Sequence, residues 1–383
     1  VETGVAEARA DLAVGLDRHG DILLQTGNVS AAAALFAEAH RINTGLVKDA
    51  PRQTWRINLA VSEEKLGDVA VLNGEPETAI SAFERALALR DAGVSRGVAV
   101  LHEKRGDALI LLEQPEAAHA AYLTSLEMTL ALASAAPDDT RLARDQSVIR
   151  QKLGDLLLGV QGAEAAEPHF AADLEIADRL HRADPAREDW TLDLAVSLDR
   201  YGVLQYQLGD STQAASLLRR AFTLLSERAG QKPGRADLQS AATKASQKLS
   251  LVSFAAGDFA GAATAALADE ARLGQAVATG APLAEEHADA INNVAWYSLF
   301  TDHPEAALAA ARRATGMRPE SLIYRLNLAH ALLLSGQETQ AYAVYGGDSS
   351  DEWRAMIVAD FEQFEAYGVA PSVIDRARRR LVD

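Results

Sequence analysis

Residues 66–89 read LGDVAVLNGEPETAISAFERALAL, and the fold follows from this stretch. An apolar helix runs through Leu66-Gly67-Asp68, a turn falls at Gly74, and a second helix carries Ala79, Phe83 and Ala86. The pattern returns along the chain. Gly20, Gly67, Gly106, Gly154 and Gly202 each begin Gly-Asp or Gly-Val, and they stand 47, 39, 48 and 48 residues apart. A supersecondary unit repeated at such a period predicts a stack of hairpins, because one hairpin cannot bury both of its faces alone.

Working outward, the first unit has the apolar stripe Leu12, Leu16, Leu23 and Leu24, broken by Gln25-Thr26-Gly27-Asn28. Ser30 is expected to cap the next helix, which carries Ala32, Phe36 and Ala39. Unit 3 has Gly106-Asp107, a Gln114-Pro115 turn, Ala118 and Tyr122, and unit 4 has Leu153-Gly154-Asp155, Ala166 and Phe170. Unit 5 has Gly209, Ala214, Leu218 and Ala221. In the later units the marker glycine becomes Ser250, Ala295 and Ala329, with Gly257 and Ala262, then Ala307, Ala311, Ala314 and Pro319, then Gly336, Ala341 and Tyr345 holding register. Glycine or alanine in one helix is expected to meet alanine in the other, with the large residue four places on filling the next hole.

These residues resemble the tetratricopeptide repeat, in which a small residue, a turn glycine and Ala-x-x-x-[Phe/Tyr]-x-x-Ala recur. The last two units fit best, since Ala295 and Ala329 are 34 residues apart and Pro319 stands at the family's closing proline. The resemblance implies an all-α, right-handed superhelical solenoid of about eight hairpins over residues 1–347, closed by a C-terminal capping helix pair over 348–383. The hairpins are placed at about 4–50, 51–92, 93–137, 138–184, 185–230, 231–280, 281–318 and 319–347. Four of the early units are longer than the family's length, and the surplus adds about two turns, or ~10 Å, to each helix. Trp55, Val94, Leu142, Trp190 and Leu238, each 12 residues before the marker, form an expected apolar core column on that extension. The C-terminal end also resembles bacterial tetratricopeptide regions attached to caspase-like peptidase or signalling modules. A terminal helix with Trp353, Ile357, Phe361, Phe364 and Tyr367 follows Gly346-Gly347, and a basic helix runs from Pro371 through Arg376 to Arg380.

Composition bounds the function. Net charge is −17, which argues against nucleic acid and anionic membrane surfaces and permits a basic protein or peptide partner. There is no cysteine, so thiolate metal sites and disulfides are excluded, and a cytoplasmic setting is expected. No apolar run approaches the ~20 residues of a membrane span and no signal peptide opens the chain. Val1 already reads as helical, which points to a longer protein.

A charge ladder is the most regular polar feature. Two places before the marker stand Arg18, Lys65, Lys104, Lys152, Arg200 and Lys248. One place after it stand Asp21, Asp68, Asp107 and Asp155, and three before it stand Asp17, Glu64, Glu103 and Asp199. Two readings are open. The rows register one hairpin on the next as ion pairs, each worth a few tenths of a kcal/mol where exposed, or they line the inner groove where the family binds extended peptides and accept a basic ligand. The family's carboxylate clamp of Lys, Arg and Asn is not reproduced, since Asp17, Asp21 and Glu64 with Lys65 occupy its places, so chaperone-tail binding is not expected. Asn292, Asn293 and Asn327 with Trp296, Tyr297 and His330 form a second, more groove-like cluster. There an amide pair would bond a peptide backbone and an aromatic would hold an apolar anchor.

Catalytic signatures fail on context. Gly93-Val94-Ser95-Arg96-Gly97 spells a nucleophile elbow without a preceding strand. His102-Glu103-Lys104-Arg105-Gly106 lacks the second histidine of a zinc-peptidase helix. Glu285, Glu286, His287 and Asp289 match no ligand spacing. The sequence therefore predicts a protein- or peptide-binding module, not an enzyme, with no cofactor or metal. It would serve as the regulatory or sensing region of a larger bacterial protein, with an assembly scaffold as the alternative and a helical-array enzyme as a distant one. Oligomeric state is left open.

Overall fold

The computed structural model describes residues 2–90 and 93–382. Val1, whose helical reading opened the chain, lies outside them, as do the two residues at the expected boundary between the second and third hairpins. Eighteen α-helices are formed among the described residues. They are α1 Glu2–Gln25, α2 Val29–Asp49, α3 Gln53–Leu72, α4 Pro76–Leu89, α5 Arg96–Leu111, α6 Pro115–Ala135, α7 Thr140–Val160, α8 Ala163–Ala183, α9 Glu188–Gln207, α10 Ser211–Gln231, α11 Ala236–Ala255, α12 Phe259–Ala278, α13 Ala284–Ser298, α14 Pro304–Met317, α15 Leu322–Leu334, α16 Glu338–Tyr345, α17 Asp351–Ala366 and α18 Pro371–Leu381. The first sixteen pair in order as eight hairpins, which is the expected all-α tetratricopeptide-like architecture.

The helices fall into two compact units, Val1–Asp184 with α1–α8 and Pro185–Asp383 with α9–α18. In the first unit the leading helices of successive hairpins, α1, α3 and α5, lie against one another. In the second, α13 and α15 do the same, and so do the trailing helices α10 and α12.

The marker glycine has a different partner from the one its spacing suggests. A Cβ on Gly20, Gly67, Gly106 or Gly154 would lie 2.4–2.6 Å from the ring of Phe36, Phe83, Tyr122 or Phe170, and on Gly202 it would lie 2.9 Å from Leu218. The glycine therefore seats the large residue sixteen positions on, not the alanine before it, and these large side chains are almost fully buried. At Ser250 and Ala295, where the marker carries a side chain, the residue sixteen on is a buried alanine, Ala266 or Ala311, whereas Ala329 keeps a buried Tyr345 at that place. In the sixth and seventh hairpins the larger marker is thus matched by a smaller partner, as close packing requires.

Helix ends refine other expectations. The cap of α2 is Asn28, whose side chain accepts from Ala31 N, and Ser30 lies inside the helix. Asp210 and Asp258 do the same for α10 and α12. Gly74 turns the second hairpin at φ 74°, a conformation open to glycine at little cost, while the third hairpin makes the same turn with Glu113 at φ 56°. Trp55, Leu142, Trp190 and Leu238 are buried as expected. Val94 is not: it is 52% exposed in the loop before α5, because α4 and α5 are only 14 and 16 residues long and the extension is missing there.

Candidate functional site

The ladder residues are linked between hairpins, with Lys65, Lys104, Lys152 and Lys248 each reaching back to acids of the preceding unit. Lys65 Nζ on α3 donates to Asp21 at 2.6 Å on α1. Lys104 on α5 bridges Glu64 at 2.8 Å and Asp68 at 2.7 Å on α3. Lys152 on α7 bridges Glu103 at 2.6 Å and Asp107 at 2.7 Å on α5, and Lys248 meets Asp199 at 2.5 Å. Burial pulls the Lys104 and Lys152 ammonium groups toward neutrality, but their flanking carboxylates outweigh it and hold both above the ordinary lysine value. Asp107 also accepts from the Tyr122 hydroxyl at 2.8 Å, which ties the ladder to the glycine–aromatic contact. Asp155 holds the corresponding place, exposed, on α7.

Asp17 sits apart from this pattern. It is 8% exposed and faces Ser62, which also accepts from Asn43 Nδ2 at 2.8 Å. Burial, with the nearby Asp21 carboxylate, raises its pKa to about 6 against the pull of Lys65. One oxygen of Asp17 and the side-chain oxygen of Asn43 are buried without a hydrogen-bond partner. This carboxyl belongs to the interior and does not face an approaching ligand.

The second cluster does assemble. Asn292, Asn293 and Trp296 on α13 and Asn327 on α15 line one cleft of about 340 Å³, with Met356 and Asp360 of α17 opposite. These asparagines occupy the places that carry acids and bases in the early hairpins. Asn327 Nδ2 donates to Asn292 Oδ1 at 2.9 Å, which orients both amides and leaves the Asn327 oxygen, the second Asn327 hydrogen, both Asn292 hydrogens and the Asn293 amide for other partners. Trp296 packs edge-on against Phe300 with centroids 5.1 Å apart. His330 is not in the cleft. It is fully buried, bonded through Nδ1 to the Tyr345 hydroxyl at 2.7 Å and through Nε2 to Asp360 at 3.0 Å, so it holds the cleft's carboxylate in position from behind.

α17 supplies what sequence reading missed. The stripe Trp353, Ile357, Phe361 and Phe364 is buried, as a cap requires, but it packs on the leading helices as well as on the last hairpin. Phe364 meets Trp296, Phe300 and His330, and Tyr367 meets Phe254 on α11, Phe259 on α12 and Phe300. Met356 and Asp360 thereby become one wall of the cleft. The amphipathic spacing of α17 was visible, but the face it would cover was not.

The fragments resembling catalytic motifs have structural places. Ser95 caps α5 by accepting from Val98 N, Glu103 belongs to the ladder, and His287 bonds Glu270 at 3.2 Å. Asp289 accepts from the Tyr324 hydroxyl. No group of three or more His, Asp or Glu among the described residues is arranged to hold a metal ion, and no described helix is long and apolar enough to cross a membrane.

No family model matches the chain, and no curated protein matches it. Solved structures do. The apo form of RapI is 10% identical, with a TM-score of 0.56 over 96% of this chain and 98% of that one. A signal-transduction ATPase with a tetratricopeptide repeat sensor, from Pyrococcus horikoshii, is 13% identical, with a TM-score of 0.52. That match covers 95% of this chain and 55% of the ATPase, so the present chain spans about half of that protein. BtubC from P. vanneervenii is 19% identical, with a TM-score of 0.50 over 66% of this chain and 92% of that one. The fold is that of a tetratricopeptide repeat protein.

Proposed function

We propose that this chain is a protein- or peptide-binding module whose recognition site is the cleft between α13, α15 and α17. The observation that carries the reading is the convergence of Asn292, Asn293 and Asn327 beside Trp296 and Asp360 in one cleft. Amide side chains held by a mutual hydrogen bond offer donor and acceptor to an extended backbone at little cost in ordering the receptor. The indole edge, Met356 and the exposed Ile323 offer an apolar anchor point, and Asp360 favours a basic side chain. The expected ligand is thus an extended segment with one large apolar residue near a lysine or arginine.

The acidic rows support the same partner charge from a distance: with a net charge of −17 they steer a cationic segment toward the chain, while their near-field valence is spent on Lys65, Lys104 and Lys152. Binding, not catalysis, is the activity assigned. The likeness to a sensor attached to an ATPase supports a sensing or regulatory region of a larger protein, and the lack of cysteine supports a cytoplasmic setting.

Random-peptide display against the purified chain tests this. Enriched peptides should carry an aromatic or leucine beside a basic residue. Their affinity should fall about tenfold or more in an Asn293→Ala, Asn327→Ala variant with unchanged circular dichroism. Peptides that bind this variant as well as the parent chain would refute the assigned cleft.

A further inference from the structure

On the opposite chemical footing from the acidic ladder is a trough in the first unit, of about 600 Å³, walled by α7 and α8. Arg150 of α7 and Arg179 and Arg182 of α8 line it, with Gln146 between them. Arg182 is paired with Asp178, but among the described residues no carboxylate lies within ion-pair distance of Arg150 or Arg179. Glu175 also lines the wall and leaves both guanidinium groups unpaired. Beside Arg150 stand two more basic groups, His169 of α8 and His119 of α6. Burial, with Arg150 and His119 nearby, pushes the His169 imidazole below its ordinary value. Arg150 Nε and His169 Nδ1 are both buried without a hydrogen-bond partner. A second hollow of about 230 Å³ shares Gln146 and Arg179 and extends the trough toward α6 past Leu130 and Ala133.

In a chain of this net charge, uncompensated arginines gathered in a concavity call for an explanation. A surface arginine is ordinarily solvated, and a partly buried one ordinarily has a carboxylate. Arg150 is half-buried with no carboxylate in reach, and the exposed Arg179 lines the same trough. The planar guanidinium is the group best matched to an oxyanion, and a flanking glutamine amide donates to the same kind of ligand.

We propose that the α7–α8 trough is an oxyanion site, in which Arg150 and Arg179 bind a phosphate-class group with Gln146 as an additional donor. The group arrives either as free phosphate or on a phosphorylated side chain of a partner. The second source suits the hollow that continues the trough past Leu130, Ser134 and Asp139 and leaves room for the chain that carries the group. Only short-range contacts favour the ligand here, because the far field of the chain repels anions.

Imidazole NMR titrations of His119 and His169 test the site in the full chain, with chloride at matched ionic strength as control. Inorganic phosphate should shift both resonances saturably and raise the His169 pKa. Arg150→Gln with Arg179→Gln should abolish the response, and Arg150→Gln alone should raise the His169 pKa before any ligand is added. A phosphoserine peptide binding about tenfold or more tighter than phosphate, with its unphosphorylated form silent, would assign the side-chain source. Equal affinities would assign the free ion. A phosphate effect no larger than that of chloride, or one that survives in the double variant, overturns the proposal.

Discussion

The second and seventh hairpins solve one packing problem in opposite ways. In the second, Gly67 has no side chain and Phe83 fills the space, and in the seventh, Ala295 fills part of it and Ala311 yields. The same exchange runs through the polar face. Lys65, Glu64 and Asp68 make a closed set of ion pairs with adjacent hairpins, whereas Asn293, Asn292 and Trp296 at equivalent places leave amide groups and an indole beside an open cleft. A repeat that satisfies its own polar groups has a structural face. One that exchanges charge for uncharged amides has valence left for a ligand.

The glycine contact gives the sharpest way to break the comparison. Phe83→Ala is expected to destabilise the first unit by roughly 3–5 kcal/mol and Gly67→Ala by roughly 1–3 kcal/mol. The double variant, which reproduces the alanine pair of the seventh hairpin, should cost less than the sum of the two. Denaturant melts of all four chains would show a coupling of about 0.5–3 kcal/mol, and strict additivity would contradict the contact. Next in size is Lys104→Met, which strands Asp68 and leaves Glu64 only Arg90, 3.6 Å away. A loss of about 1–3 kcal/mol is expected, while Arg376→Met, whose exposed partner Glu338 is solvated without it, should cost under about 1 kcal/mol.

Asp17 sharpens the same contrast through pH. Its folded pKa of about 6 lies above the ordinary 3.8, so the neutral form is favoured by folding. That contribution is complete below about pH 4 and is lost as pH rises through 6. Asp17→Asn should therefore gain on the order of 1–2 kcal/mol over the parent chain at pH 8 and nothing at pH 4, read from melts at the two pH values. The smallest effect is expected at Glu113, where Glu113→Gly should relieve the positive φ and stabilise the third hairpin by about 0.5–1 kcal/mol.

What could be read beforehand follows from these contacts. The period was legible because glycine, turn and aromatic recur at fixed offsets, and eight hairpins formed where eight were expected. The grouping of Asn292, Asn293 and Asn327 was legible because asparagines stand together in two adjacent units, but the bond between Asn292 and Asn327 was not. Asp360 and Met356 were not, since α17 stands outside the repeat and no periodicity says which face it covers. His330 was misjudged for the same reason, because its partners Tyr345 and Asp360 come from elements whose placement only packing decides. Val94 and Ser30 failed more locally, one from a missing helical turn and the other from a cap two residues earlier.

The sixteen-residue separation of each glycine from the ring it seats also bears on how the chain acquires its structure. A nucleus made of one turn and one aromatic contact closes a short loop, which costs little chain entropy and needs nothing from distant sequence. Several such nuclei are available along the polypeptide, so structure can begin at any of them and spread to its neighbours. For a chain emerging gradually from the ribosome, each hairpin would be ready to form as soon as its second helix has cleared the exit.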